Sequence, residues 1–249
     1  MPRFFITLSY NGRNYVGWQV QPNGTSVQQV LQDSLSVILR SETGITGAGR
    51  TDAGVHARKM IAHFDWEGDP FVEADLVHKL NNFLPRDIAL QEIRPVVADA
   101  HARFSALSRT YSYHLTTRKD PFFPGLTYRV HFAPDMEKMN ALCEVLKEYD
   151  DFTSFSKLHT DVKTNNCRIT DARWIRKGDH YIFTITADRF LRNMVRAITG
   201  TLLEAGRGRL DERGLRRIIE ARDRNVAGDS VPGHALFLED VAYPDEIWL

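Results

Sequence analysis

Residues 167–187 read CRITDARWIRKGDHYIFTITA. Two strand-forming runs, 167–176 and 180–187, flank Lys177-Gly178-Asp179, and a glycine-bearing turn between such runs predicts a β-hairpin. Hairpins pair antiparallel, so this stretch points away from an all-parallel sheet. Upstream, residues 109–117 alternate Tyr111, Tyr113 and Leu115, a second strand. Arg3–Tyr10 is rich in β-branched and aromatic residues and predicts a third. Further strands are expected at 59–66, 88–94 and 235–242. Helical spacing predicts helices over 25–39, 71–84, 136–149, 190–205 and 211–222. In the first, Thr25 and Gln28 fit a capping box, and Val27, Leu31, Leu35 and Ile38 share one face. Residues 154–166 are polar and predict a long loop. Strands arrive in runs, without sustained βα alternation. This predicts an α+β fold with a mainly antiparallel sheet and helices packed on it. A loop at 120–125 suggests two subdomains, 1–117 and 118–249, sharing one sheet with a cleft between them.

With 249 residues the chain is long enough for a substantial core, and 43% hydrophobic against 26% charged residues is an ordinary globular balance. Lysine plus arginine equals aspartate plus glutamate, 32 each. That balance speaks weakly against a nucleic-acid binder, but the charge is sorted into patches. Residues 189–224 hold ten arginines and five acids; residues 101–129 hold five basic residues and one acid. Either patch suits a phosphate backbone. Cys143 and Cys167 form no CxxC pair, and the nine histidines show no HExxH spacing, so no metal is expected. The run Phe4-Phe5-Ile6-Thr7-Leu8 is too short for a signal-peptide core and no run approaches membrane-spanning length. A cytoplasmic location is the expectation.

The chemistry centres on Gly47-Ala48-Gly49-Arg50-Thr51-Asp52-Ala53-Gly54-Val55-His56-Ala57. Three glycines, one arginine and one carboxylate make a loop that another molecule can approach closely. No Lys-Ser or Lys-Thr follows the glycines, and their spacing is not GxGxxG, so neither dinucleotide nor P-loop binding is indicated. Asp52 on such a loop can be a nucleophile, a general base or a turn former. Arg196, on a face of the 190–205 helix shared with Arg189 and Arg192, is either a solvated surface cation or a partner for a carboxylate. Tyr111 is either a half-buried strand aromatic, the commoner case for such a residue, or a base-stacking platform, to which the flanking Arg103 and Arg109 add modest weight.

Five stretches in order resemble the tRNA pseudouridine synthase A (TruA) family: Tyr10-Asn11-Gly12 with Gly17-Trp18-Gln19; Arg50-Thr51-Asp52; His101-Ala102-Arg103-Phe104-Ser105-Ala106 with Arg109-Thr110-Tyr111; Phe190-Leu191-Arg192-Asn193-Met194-Val195-Arg196; and Ala235-Leu236-Phe237-Leu238. Ala235 stands where that family more often has glycine. The resemblance implies the pseudouridine synthase fold and isomerisation of uridine at positions 38, 39 and 40 of the tRNA anticodon stem-loop. It implies no metal or organic cofactor, and a homodimer that holds tRNA. It makes Asp52 the catalytic aspartate and Arg196 its salt-bridge partner. Tyr111 would stack on the target base, Leu236 would pack beneath it, and Arg50 would help displace the uridine. A non-catalytic RNA-binding module has no use for Asp52. A glycosidase needs a second carboxylate, which the glycine loop does not supply.

Overall fold

The structure, a computed structural model, describes residues 1–157 and 164–249. In chain order its strands and α-helices are β1 (Arg3–Tyr10), α1 (Val27–Leu39), β2 (Thr46–Gly47), β3 (His56–Asp65), α2 (Glu73–Phe83), β4 (Ile88–Val96), β5 (Ser108–Thr116), β6 (Tyr128–Arg129), α3 (Met136–Leu146), β7 (Ile169–Lys177), β8 (His180–Ala187), α4 (Met194–Gly206), α5 (Glu212–Ala221) and β9 (Leu236–Ala242). The fold is α+β with mainly antiparallel pairing, as the hairpin at 167–187 predicts. The chain divides into two compact units, Met1–Leu107 with Phe237–Leu249, and Ser108–Leu236.

In the first unit β1 lies between β3 and β4 and is antiparallel to both, from Arg3 opposite Asp65 and Val96 onward. Phe5, Ile6 and Leu8 of β1 are buried with Met60, Ile61 and Phe64 of β3 and with Leu31 and Leu35 of α1. The far side of β3 takes β2 antiparallel and β9 parallel, His56 opposite Phe237 and Ala57 opposite Leu238. β3 begins three residues before the expected 59, so the sheet starts directly at the end of the glycine loop. β4 runs two residues past the expected 94, so that Pro95 lies within it, opposite Phe4. Its carbonyl accepts from the Leu249 N–H at 3.3 Å, on the side turned away from β1, where its missing N–H breaks no β1 ladder bond. α1 is capped one residue later than the sequence suggests: Ser26 Oγ accepts from the Gln29 N–H at 3.1 Å. Thr25 is occupied otherwise, its carbonyl accepting from the Val16 N–H at 3.0 Å.

In the second unit β8 lies between β5 and β7, antiparallel to both, and β6 adds to β5 in parallel. The β7–β8 hairpin turns at Gly178-Asp179, with Gly178 at φ +62°, a conformation that favours glycine. Phe183, Tyr113, Phe152, Phe155 and Ile198 are fully buried. α3 packs on β7 and against α4 and α5. Residues 153–155 form a 3₁₀ turn; of the loop expected at 154–166, residues 158–163 lie outside the described residues.

The helix expected at 190–205 starts later, at Met194. Asn193 at φ +68° is left-handed, and the Met194 N–H bonds to the Leu191 carbonyl at 3.1 Å, a turn in place of a first helical turn. Phe190 and Leu191 fit the apolar period by composition alone. Arg189 and Arg192 therefore do not share a helical face with Arg196, contrary to the expectation from spacing.

Candidate active site

In the first unit the Asp52 loop is clasped by the segment that follows β1. Trp18 N–H donates to the Thr51 carbonyl at 3.2 Å, and Gly54 N–H to the Tyr15 carbonyl at 3.3 Å. Val55 N–H donates to the Asp52 carbonyl at 3.1 Å, closing the turn that holds the aspartate, with Gly54 at φ +77°. Below them the Tyr10 and Thr51 hydroxyls are bonded at 2.8 Å in a buried position. Gly12 N–H donates to Nδ1 of His56 at 3.0 Å. An imidazole that accepts at Nδ1 carries its proton on Nε2 when neutral. The His56 ring is buried and stacked on Phe237 at 4.7 Å.

The closeness of the clasp explains the glycines. A Cβ on Gly17, at φ +109°, would stand 2.3 Å from the Thr51 carbonyl oxygen, and one on Gly12 would stand 2.0 Å from that of Val55. Only a residue without a side chain lets these backbones meet. Gly47 has the same role toward a side chain, since its Cβ would fall 2.4 Å from Nε1 of the buried Trp18. At Gly49 a Cβ would meet nothing within 4 Å. The segment 11–15 is itself anchored: Tyr15 O–H donates to Oδ1 of Asp87 at 2.6 Å, Asn14 Nδ2 to Oδ2 at 3.1 Å, and Asn11 N–H to the Asp87 carbonyl at 2.8 Å. Burial and the Asp87 carboxylate push the Tyr15 phenol above its ordinary range, so it stays a neutral donor. Asp52 is half-buried on this clasp, and Arg50, two residues before it, is exposed.

In the second unit Arg196 stands on the first turn of α4, half-buried. Its Nε donates to the Val231 carbonyl at 2.7 Å, and its own carbonyl accepts from the Val231 N–H at 3.2 Å. The guanidinium is thus fixed at its root. The segment 228–232 lies close along α4. A Cβ on Gly200 would meet the Asp229 carbonyl oxygen at 1.8 Å, and Thr201 Oγ1 accepts from the Gly228 N–H at 2.9 Å. Asn193 Nδ2 donates to Ser230 Oγ at 2.6 Å. On the other flank Tyr113, buried on β5, donates its hydroxyl to the Pro232 carbonyl at 2.8 Å. Burial raises the Tyr113 phenol well above its usual range, so it too acts as a neutral donor.

Tyr111, two residues before Tyr113 on β5, is half-buried, with its ring edge-on to Phe190 at 5.2 Å. Leu236 follows the 3₁₀ turn Gly233–Ala235 and is buried. The structure therefore sets Arg50 and Asp52 on one loop of the first unit. In the second it sets Tyr111, Arg196 and Leu236 on β5, α4 and the segment that ends at Leu236. Sequence reading gave no role to Thr51, His56, Tyr15, Asp87 or Val231. The signal for them was faint, because each acts through a partner dozens of residues away. The arginines of 207–224 are also less available than their number suggests. Arg216 pairs with Glu148 and Glu212, Arg222 with Asp151, and Arg207 and Arg209 with Glu204. Among the described residues no three His, Cys, Asp or Glu side chains are grouped to hold a metal ion, and no helix is long and apolar enough to cross a membrane.

A family model described as tRNA pseudouridine synthase matches residues 6–105 and 149–244. The chain is 61% identical over 248 residues to tRNA pseudouridine synthase A of Parabacteroides distasonis, covering 100% of this chain and 98% of the relative. It is 56% identical to the protein of that name from Porphyromonas gingivalis, covering 100% of each. It is 36% identical to that of Exiguobacterium sibiricum, covering 98% of each.

Proposed function

The chain belongs to the tRNA pseudouridine synthase family, and from that membership we propose that it isomerises uridine to pseudouridine at positions 38, 39 and 40 of the tRNA anticodon stem-loop, with Asp52 as the catalytic aspartate. The enzyme is an isomerase and its substrate is tRNA. The observation that carries the assignment of Asp52 is the clasp. One carboxylate sits on a loop whose position is set by backbone bonds and by glycines that admit no side chain. Such fixing is what chemistry on a positioned substrate needs, since preorganised groups need not be ordered in the transition state.

The reaction breaks the N1–C1′ bond of uridine, turns the base, joins C5 to C1′ and releases the C5 proton. The base must first leave the stack, which costs roughly a few kcal/mol. Arg50, exposed on the Asp52 loop, helps displace it. Tyr111, its ring steadied by Phe190, stacks on it, and Leu236 supplies an apolar surface beneath it. Arg196 supplies a guanidinium fixed through Val231. Asp52 acts ionised, either as a nucleophile toward base or ribose or as the base that removes a ribose proton on a glycal route. We further assign the working protein as a cytoplasmic homodimer that needs no metal or organic cofactor.

The test is release of tritium from tRNA labelled at C5 of uridine. Wild type releases it and Asp52→Asn, which keeps the side-chain shape, does not. Arg196→Ala also loses turnover, with a melting temperature lowered by no more than the loss of its bond to the Val231 carbonyl accounts for. Release by Asp52→Asn at the wild-type rate overturns the assignment of Asp52. Binding of tRNA without release by the wild type makes the protein a binding module.

A further inference from the structure

Phe104 is 75% exposed, yet the loop that carries it is bonded at every residue. His101 N–H donates to Ser105 Oγ at 2.9 Å, and Ser105 N–H returns to the His101 carbonyl at 2.9 Å. Nδ1 of His101 accepts from the Arg103 N–H at 3.1 Å and the Phe104 N–H at 3.4 Å. Ala102 N–H donates to Nδ1 of buried His63 at 3.1 Å, and the Ala102 carbonyl accepts from the Tyr243 hydroxyl. Burial, reinforced by the Arg3 guanidinium, lowers both imidazoles below the usual histidine range, so both nitrogens remain acceptors near pH 7. These bonds fix the backbone of the loop, which leaves the Phe104 ring outward.

The groups touching the ring say what it faces. His101 lies against it at 4.4 Å between centroids, and the Arg103 guanidinium lies 5.5 Å from its centroid. A cation and a polar ring suit a nucleotide, whose base presents a π-face and whose backbone is anionic, better than they suit an apolar protein surface. Unpaired RNA bases are recognised by stacking on aromatic side chains of this kind. We propose that Phe104 is a stacking platform for an unpaired base of the tRNA substrate, with Arg103 placed toward the adjoining phosphate. The proposal rests on the tRNA reading above and adds a contact outside the Asp52 loop.

The experiment measures the affinity of the full chain for an unmodified tRNA transcript at fixed salt, with Phe104 replaced by Ala, Leu, Tyr or Trp. Phe104→Ala and Phe104→Leu should weaken binding about tenfold, as loss of one stacked base does. Phe104→Tyr and Phe104→Trp should bind as the wild type does. The dependence of affinity on salt should keep its slope in all four, because no phosphate contact is removed, and should flatten in Arg103→Ala. Wild-type affinity in Phe104→Leu overturns the proposal, and so does equal loss in all four variants, which marks shape packing instead of stacking. A change of oligomeric state by light scattering in Phe104→Ala overturns it in favour of contact with a second copy of this chain. Failure of the tRNA reading is distinguishable: wild-type protein would then neither bind the transcript nor release tritium from it.

Discussion

At Gly17 the demand on a single residue is plainest. The position combines φ +109° with a carbonyl oxygen 2.3 Å from where a Cβ would stand. Gly17→Ala must push Thr51 away, and Thr51 directly precedes Asp52. Displacement of a catalytic group by about 1 Å costs on the order of a hundredfold in rate. Single-turnover rates should fall by about that factor while tRNA affinity changes less than threefold; an unchanged rate would show that the clasp does not position Asp52. A second prediction at this scale concerns pH. Burial lowers His63 to about 4, against an ordinary 6.5. Between those values the unfolded chain binds a proton that the folded chain refuses, so stability falls as pH drops from about 6.5 to about 4. The full effect is about 3 kcal/mol at one pKa unit per 1.36 kcal/mol. His63→Asn keeps an acceptor for the Ala102 N–H and does not titrate, so its urea midpoint should change less between pH 7 and pH 5 than that of the wild type. Asp65, held below the usual carboxylate range by the Arg3 hydrogen bond, acts only at more acid pH and does not confuse the comparison. Asp52 and Arg50 stand out in the sequence as a carboxylate and a cation amid glycines, and the roles proposed for them come from the family resemblance. Thr51 and His56 do not stand out, because a hydroxyl bonded to Tyr10 and an imidazole bonded to Gly12 leave no periodic trace.

Elements were read well where their period was internal and poorly where a partner set their ends. The β7–β8 hairpin was foreseen to within two residues because both its strands and its turn are local. α4 was started too early, because Phe190 and Leu191 continue its apolar spacing and only backbone geometry at Asn193 interrupts it. That residue makes a testable stop. Asn193 tolerates the left-handed conformation and bonds Ser230, whereas alanine does neither. Asn193→Gly keeps the backbone but loses the bond, a cost of about 1 kcal/mol. Asn193→Ala adds a conformational penalty of about 1–2 kcal/mol. Denaturant midpoints should rank wild type, then glycine, then alanine; alanine equal to glycine would show that the turn at 191–194 is not strained. The Ser26 cap and the far end of β4 leave no local pattern for a related reason. Each depends on which neighbouring chain, 16 or 249, takes the adjacent carbonyl.

For the whole chain, the α+β class was visible in the order of strands and helices. The parallel pairings of β3 with β9 and β5 with β6 were not, since each joins only two residues on either side. Nor was the return of Phe237–Leu249 to the first unit, which no local pattern encodes. That return is secured by aromatic contacts: Trp248 lies edge-on to Phe5 at 5.7 Å and to Tyr243 at 6.1 Å, with the Arg94 guanidinium 4.7 Å from its ring. Trp248→Ala should destabilise the protein by about 2–3 kcal/mol, somewhat under the range for a fully buried tryptophan because the ring is half-buried. Thermal unfolding would check it, and an unchanged midpoint would mean that the terminal segment is only draped on the unit. The same arrangement imposes a timetable on synthesis. Residues 1–107 leave the ribosome first but lack β9, whose Phe237 covers His56, until about 130 further residues have been added. At roughly 5–20 residues per second that wait is on the order of ten seconds. During it the newborn first unit is an open-edged sheet with unsealed aromatic rings. A nascent chain halted before residue 237 therefore emerges as a client for chaperones or proteases.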